Sequence, residues 1–223
     1  MITGTLALVR PRRYRGVDDG ERRAERRRRL VEAGLELFGT GGYQAASVRQ
    51  ICAAAGLTER YFYESFPNRE DLLAAVYEDI VAALRQGMGA ALDAAPAGAS
   101  AKGAACLDVY FAYIEANRPA GRVLLFEVLG VSPAIDRIYN QGMEGLARML
   151  SRAAFGEGPP AAEGSLFGLG VAGAVVAIGV HWILTGYNRD RAEIVAHCTA
   201  LLAALADRPQ ITPPKGAARE TPP

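Results

Sequence analysis

Apolar residues recur at helical spacing along most of this chain, with few β-branched runs and with glycines at the joints. A first helix is expected from about Glu21 to Phe38, with Leu30, Val31, Ala33, Gly34, Leu37 and Phe38 on its apolar face. Two short helices follow in residues 47–66. A longer one runs from Asn68 toward Leu92, carrying Leu72, Leu73, Val76, Tyr77 and Ile80. Proline, glycine and small residues make a loop of Ala94–Ser100. Helices are then expected over Ala101–Asn117, Ala120–Leu129 and Pro133–Phe155. A loop with Pro159 and Pro160 separates these from two last helices, Ser165–Gly186 and Arg189–Ala206. Residues 1–20 and 208–223 read as unstructured, the second stretch rich in proline and polar residues.

The densest signals lie in residues 47–66. Ser47 and Gln50 have the spacing of a capping box, in which each side chain satisfies an orphan donor at a helix start. Val48, Ile51, Cys52 and Ala55 form a buried face. Gly56 ends the helix in the left-handed region, and Thr58 is placed to cap the next one. Phe62 and Phe66, four apart, turn inward. Thr58, Glu59, Arg60, Tyr61 and Tyr63 are left on the outside. Pro67 stops that helix and Asn68 caps another, with Glu70 and Asp71 in its first turn, where the helix dipole favours anions. Two helices broken at a glycine, the second with basic and aromatic side chains outward, make a helix-turn-helix.

The run GTGGYQAASVRQICAAAGLTERYFYESFPNREDLL, Gly39–Leu73, resembles the tetracycline-repressor (TetR/AcrR) family of bacterial transcriptional regulators. The matching features are Gly42-Tyr43 after Leu37-Phe38, then S-V-R-Q-I, A-x-x-A-G-L, the aromatic Y-F-Y-E-S-F and N-R-E-D-L-L. Arg69 stands where the family usually has Lys, and Glu64 departs from its usual His or Tyr. The resemblance implies an all-α protein: a three-helix DNA-binding domain at 21–72, a larger helical effector-binding and dimerisation domain at 73–207, and terminal segments 1–20 and 208–223 outside both. It implies double-stranded DNA, a small-molecule effector and a second copy of the chain as partners. The two final helices would build the homodimer as a four-helix bundle, with Trp182, Ile183, Leu184, Ile194, Val195, Leu201, Leu202 and Leu205 at the contact. Ser47, Tyr63 and Arg69 are then expected at phosphates. Arg49, Arg60 and Tyr61 are expected at bases, with Thr58 beside them at the helix start.

Charge refines this picture. The net charge is only +1, which argues against a protein basic all over. Residues 1–30, however, hold ten arginines against four acids. Such an arm suits phosphate contact or minor-groove insertion; the plainer reading is a solvated tail. Cys52, Cys106 and Cys198 have no metal or redox spacing, and no apolar segment follows the arginines as in a signal peptide. A reducing cytoplasm is the expected home. His181 and His197 sit in no catalytic motif, so no enzyme activity, metal or cofactor is expected.

Gly164–Asn188 is free of formal charge over 25 residues, long enough to span a bilayer. The reading preferred is a helix buried at a dimer interface, with Gly168, Ala172 and Gly179 allowing close approach, and no membrane contact. Between the last helices and the middle ones an apolar pocket is expected, lined by Tyr110, Tyr113, Ile114, Phe126, Tyr139, Met143 and Trp182. Phe111 and Leu125 are further candidates, and Glu127 is the odd polar group, either meeting a ligand's amine or hydroxyl or, as such a residue more often is, exposed or hydrogen-bonded within the protein. The function expected is a ligand-responsive regulator: a repressor released from a palindromic operator by a mostly apolar molecule. The other reading is a helix-turn-helix DNA-binding protein with no effector, which a solid C-terminal core would favour.

Overall fold

The computed structural model describes residues 14–156 and 166–206, and among these the regular structure is helical throughout. The helices are α1 (Tyr14–Gly41), α2 (Val48–Ala55), α3 (Glu59–Ser65), α4 (Arg69–Ala94), α5 (Ala99–Ala116), α6 (Arg118–Arg122), α7 (Pro133–Phe155), α8 (Leu166–Leu184) and α9 (Arg191–Ala206). A π-helical turn, Val123–Glu127, continues α6. Residues 1–13 and 207–223, which hold most of the expected arm and the whole tail, lie outside the described residues.

Local rules account for the N-terminal third. Ser47 accepts a hydrogen bond from the Gln50 amide, and the Gln50 side chain accepts one from the Ser47 amide at 2.8 Å, closing the capping box. Gly56 takes φ +62°, and the Leu57 amide returns to the Cys52 carbonyl at 2.9 Å. Asn68 accepts from the Asp71 amide at 2.9 Å and so starts α4. Thr58 precedes α3, but its side chain makes no cap hydrogen bond. The buried faces of α1–α3 meet around Leu30, Phe38, Ile51, Phe62 and Phe66.

Three boundaries differ from the expected ones. α1 starts at Tyr14, not near Glu21, and runs on to Gly41. A periodic apolar stripe marks where a helix is covered, and residues 19–25 are exposed, so no stripe announces those turns. Farther along, Arg28 pairs with Glu25 at 2.7 Å and with Glu32, the spacing that supports exposed helical turns. The helix expected over Ala120–Leu129 is instead the short α6 followed by the π turn. The boundary expected at residues 72 and 73 falls inside α4, which runs unbroken from the helix-turn-helix into the larger bundle.

In that bundle α5 is central, packed against α4, α7 and α9. Cys106, Leu107, Phe111 and Ile114 of α5 are fully buried. Arg191 of α9 donates to Asp108 at 2.9 Å and to Glu115 at 2.7 Å, both on α5. Trp182 is buried between Phe111 and Tyr187, ring centroids 5.9 and 5.0 Å away, and its indole donates to the Arg189 carbonyl at 2.9 Å. Among the described residues no helix is long and apolar enough to cross a membrane.

The two halves meet where the end of α1 lies on α6. A side chain at Gly39 would come within 2.4 Å of the Pro119 backbone, so only glycine allows this approach. Gly39→Ala is expected to lower stability by about 1–3 kcal/mol, the usual cost of overpacking a tight contact. Denaturant unfolding of the variant measures it.

Candidate functional site

The outer face of α3 is open. Thr58, Glu59, Arg60, Tyr63 and Glu64 are exposed, while Phe62 lies beneath with no exposure and Phe66 with almost none. Tyr63 is 58% exposed and is held edge-on by the Phe62 ring at 5.3 Å. Arg60 donates to Glu64 at 2.9 Å, one helical turn on. The i, i+4 spacing favours this pair on an exposed helix. On α2, Ser47 and Arg49 are exposed on the approach to the same face. The Ser47 hydroxyl is already engaged with Gln50 at 2.7 Å.

Arginines divide into two groups by their contacts. Arg69 of α4, expected near a phosphate, donates to the Tyr43 carbonyl at 3.1 Å and to that of Ala46, and its guanidinium lies 4.8 Å from the centre of the Tyr43 ring. Arg29 of α1 reaches the carbonyls of Ala55 and Gly56 at the end of α2. Arg27 covers the Phe66 ring at 4.2 Å and meets the Ser65 carbonyl at the end of α3. The Arg27 and Arg29 guanidiniums satisfy carbonyls left orphaned at helix C-termini, where the dipole favours a cation, whereas Arg69 braces the loop between α1 and α2. Arg26 lies 4.6 Å over the ring of Tyr61, which is half-buried. Arg23 is exposed on the preceding turn of the same helix. Part of the basic character read as a DNA signal therefore holds the helix-turn-helix together. Only these local carbonyl positions, invisible in the sequence, could have said so.

A cavity of about 400 Å³ lies between α4, α5, α7, α8 and the π turn. Of the expected lining, Tyr110, Tyr139 and Met143 are there, and so is Leu125. Ile114 instead packs in the core against Gly121. Trp182 belongs to the aromatic cluster with Phe111 and Tyr187. Tyr113 and Phe126 are half-buried and outside the lining. The expectation missed the wall built by α4, because Tyr77, Val81, Leu84 and Met88 read as ordinary core on a linking helix. One signal was available: Met88, Met143 and Met149, the three methionines after Met1, all line this space. Methionine adapts to irregular apolar surfaces. Arg85 and Arg148 are exposed at the rim.

Glu127 does not face the cavity. One carboxylate oxygen accepts from the Tyr43 amide at 2.7 Å, and the other from Arg122 at 2.9 Å. It therefore joins the π turn, whose Leu124 and Leu125 line the cavity, to the loop between α1 and α2. Burial pushes the thiols of Cys106 and Cys198 up to about 12 and about 11, and raises that of Cys52, which leaves them protonated small hydrophobes. No cluster of metal-ligating side chains occurs among the described residues.

Part of the expected dimer surface is covered within the chain itself. Trp182, Ile194, Val195 and Leu202 are buried within the chain. Gly168 packs against Ser151 and Ala147, and Gly179 faces Leu125 and Phe111, so these small residues serve contacts inside the protomer. The uncovered face of α8 carries Leu169, Gly170, Gly173 and Leu184, the last 71% exposed. On α9, Ala196, His197 and Ala200 are exposed.

Comparison with known proteins gives a consistent picture. Residues 30–76 match the model of the bacterial regulatory proteins of the tetR family. The whole fold is similar to the fatty acid degradation regulator FadR of Bacillus halodurans, with a TM-score of 0.68, 17% identity, and coverage of 80% of this chain and 94% of that one. FadR of Bacillus subtilis, solved in complex with stearoyl-CoA, gives a TM-score of 0.68 at 18% identity over 79% of this chain and 97% of that one. A tetR-family regulator of Streptomyces coelicolor gives 0.67 at 21% identity over 82% and 80%. A sequence comparison with curated proteins gave no match.

Arg69→Ala removes both carbonyl contacts and the cover of Tyr43. A loss of about 1.5–3 kcal/mol is expected, the range for hydrogen bonds from a charged group, and thermal unfolding of the variant reads it.

Proposed function

We propose, for a chain whose residues 30–76 belong to the tetR family of bacterial regulatory proteins, that it is a cytoplasmic repressor. It would bind a palindromic operator as a homodimer and leave it when an amphiphilic small molecule fills the cavity. The observation that carries the DNA reading is the open outer face of α3 above a fully buried Phe62. Arg49 and Arg60 are the base-reading candidates, since a guanidinium can chelate a guanine edge. Arg60 must first exchange Glu64 for the base. Tyr61 sits under Arg26, so the two would act as a unit. Ser47, Thr58 and Tyr63 would position the helix at phosphates. Arg69 contributes by holding the loop at Tyr43 and Ala46 in place.

The uncovered small and apolar residues of α8 and α9 support the homodimer. A helix apolar on every side needs cover on every side. Gly170 and Gly173 meet nothing within 4 Å of where a side chain would stand, which suits a closely packed partner helix.

The cavity supports the effector and speaks against the reading without one, which needed a solid core. Its walls are mostly apolar, and Arg85 and Arg148 stand at its rim. That combination suits an acyl chain with an anionic head, the chemistry of the stearoyl-CoA bound by the Bacillus subtilis neighbour. Filling the cavity would press on Leu124 and Leu125, and Glu127 on the same turn would pass the shift to Tyr43. The α4 helix would carry a second path, from Met88 and Leu84 to Arg69. The loss of DNA affinity equals the ligand's differential affinity for the two arrangements.

Selecting bound duplexes from a random pool with the purified protein tests the core claim. A palindromic consensus is expected, and failure to enrich any sequence at low salt overturns it, since phosphate contacts are strongest there. On the selected operator, Arg49→Ala is expected to lose about 1–3 kcal/mol of binding at one base position, with thermal stability unchanged. Leu184→Glu places a charge in the proposed bundle, and analytical ultracentrifugation is expected to show a dimer shifted to monomer.

A further inference from the structure

One residue that lines the apolar cavity carries a polar group with no partner. The Tyr110 hydroxyl is fully buried, and no group among the described residues accepts its proton or donates to it. Buried hydroxyls in folded proteins are nearly always paired, because an unpaired one forfeits the hydrogen bonds it had in water. The ring meets that of Phe111 edge-on at 5.2 Å. Two further phenols flank the same space. Tyr77 is buried, and its hydroxyl reaches the Tyr139 carbonyl only at 3.5 Å, a long and weak contact. That approach is possible because residue 142 is glycine: a side chain there would stand 2.3 Å from the Tyr77 hydroxyl. Tyr139 itself is half-buried, its ring 6.4 Å from that of Tyr77.

The polar groups therefore fall into two sets. Arg85 and Arg148 are exposed at the rim. Arg148 also stands 3.7 Å from Glu144. Tyr77 and Tyr110, 3% and 2% exposed, belong to the inner wall with Leu124, Leu125 and the three methionines, and of these two phenols Tyr110 has no partner among the described residues. A plain saturated chain would satisfy the rim and the walls but leave the inner hydroxyl unpaired. We propose that the cavity selects an oxygenated amphiphile: an acyl chain with an anionic head at the rim and a hydroxyl or keto oxygen within its apolar part, hydrogen-bonded to the Tyr110 hydroxyl. Burial by the surrounding apolar groups raises the Tyr110 pKa, so the phenol remains a neutral donor at any physiological pH. This inference rests on the reading of the effector as an acyl amphiphile and adds the position and kind of its second polar group.

The test is a calorimetric binding series on the full-length protein. The probes are palmitate and its mono-hydroxylated isomers, with the hydroxyl stepped from the carboxylate toward the terminal methyl, each as the free acid and as the coenzyme A thioester. At least one hydroxylated isomer is expected to bind about tenfold tighter than the saturated chain with the same head, the equivalent of one hydrogen bond that is otherwise lost. In Tyr110→Phe that preference is expected to collapse to about one, with the affinity for the saturated chain unchanged or improved. The variant is also expected to melt no lower than wild type, because it removes a hydroxyl that has no partner. A wild-type protein that binds palmitate or its thioester but gains nothing from any hydroxyl overturns this inference and leaves the amphiphile reading standing. So does a preference that survives in Tyr110→Phe. Absence of binding to every probe overturns the amphiphile reading, and this inference with it.

Discussion

Glu127 joins the two halves of the molecule through a charge-assisted hydrogen bond. Its carboxylate is 13% exposed, takes the Tyr43 amide on one oxygen and Arg122 on the other, and sits at the end of a π turn. A π turn widens the helix by one residue, which re-aims the side chains that follow. Here it lets Leu124 and Leu125 face the cavity while Glu127 turns toward the loop before α2. Gly39 against Pro119 completes the seam. Such a contact is close-packed on one side and charge-paired on the other, so it does not deform gradually. That is the property a coupling element needs.

The basic residues show how one composition can serve two purposes. Arg27 and Arg29 are spent on carbonyls at helix ends, Arg69 on carbonyls of the loop before α2, and Arg27 and Arg69 also cover aromatic faces. The short helices α2 and α3, 8 and 7 residues long, are too short to be stable alone. Guanidiniums that satisfy several carbonyls at once help to hold them in place. Between Ser47 and Phe66 the formal charges cancel, with Arg49 and Arg60 against Glu59 and Glu64. Affinity for a polyanion would therefore have to come from outside the segment and from a second copy of the chain.

The N-terminal third was legible because its signals are local. A serine and a glutamine three apart, a glycine past a helix end and two phenylalanines four apart each act through backbone geometry within one or two turns. The cavity was only partly legible. Tyr110, Tyr139 and Met143 were found there, whereas Trp182, Ile114, Tyr113 and Phe126 were drawn to it by type alone. An aromatic at helical spacing says that a side chain is covered, not what covers it. Glu127 was rightly singled out as an unusual acid in an apolar run. One partner, Arg122, is five residues away, but the other, the Tyr43 amide, lies 84 residues away in the chain, and no pattern within the run points to it.

The sequence by itself determined the helices, their caps, the turn at Gly56 and the outward face of α3, since these depend on neighbours a few residues apart. The tertiary structure alone decided which arginines are free and which brace helix ends. It also decided which small residues of α8 face inward, and that Tyr110, which lines a cavity, carries a buried hydroxyl with no partner among the described residues. Those outcomes turn on groups far apart in the chain that meet only when the helices pack. Each is a question of whether a partner stands within about 3 Å, which periodicity cannot answer.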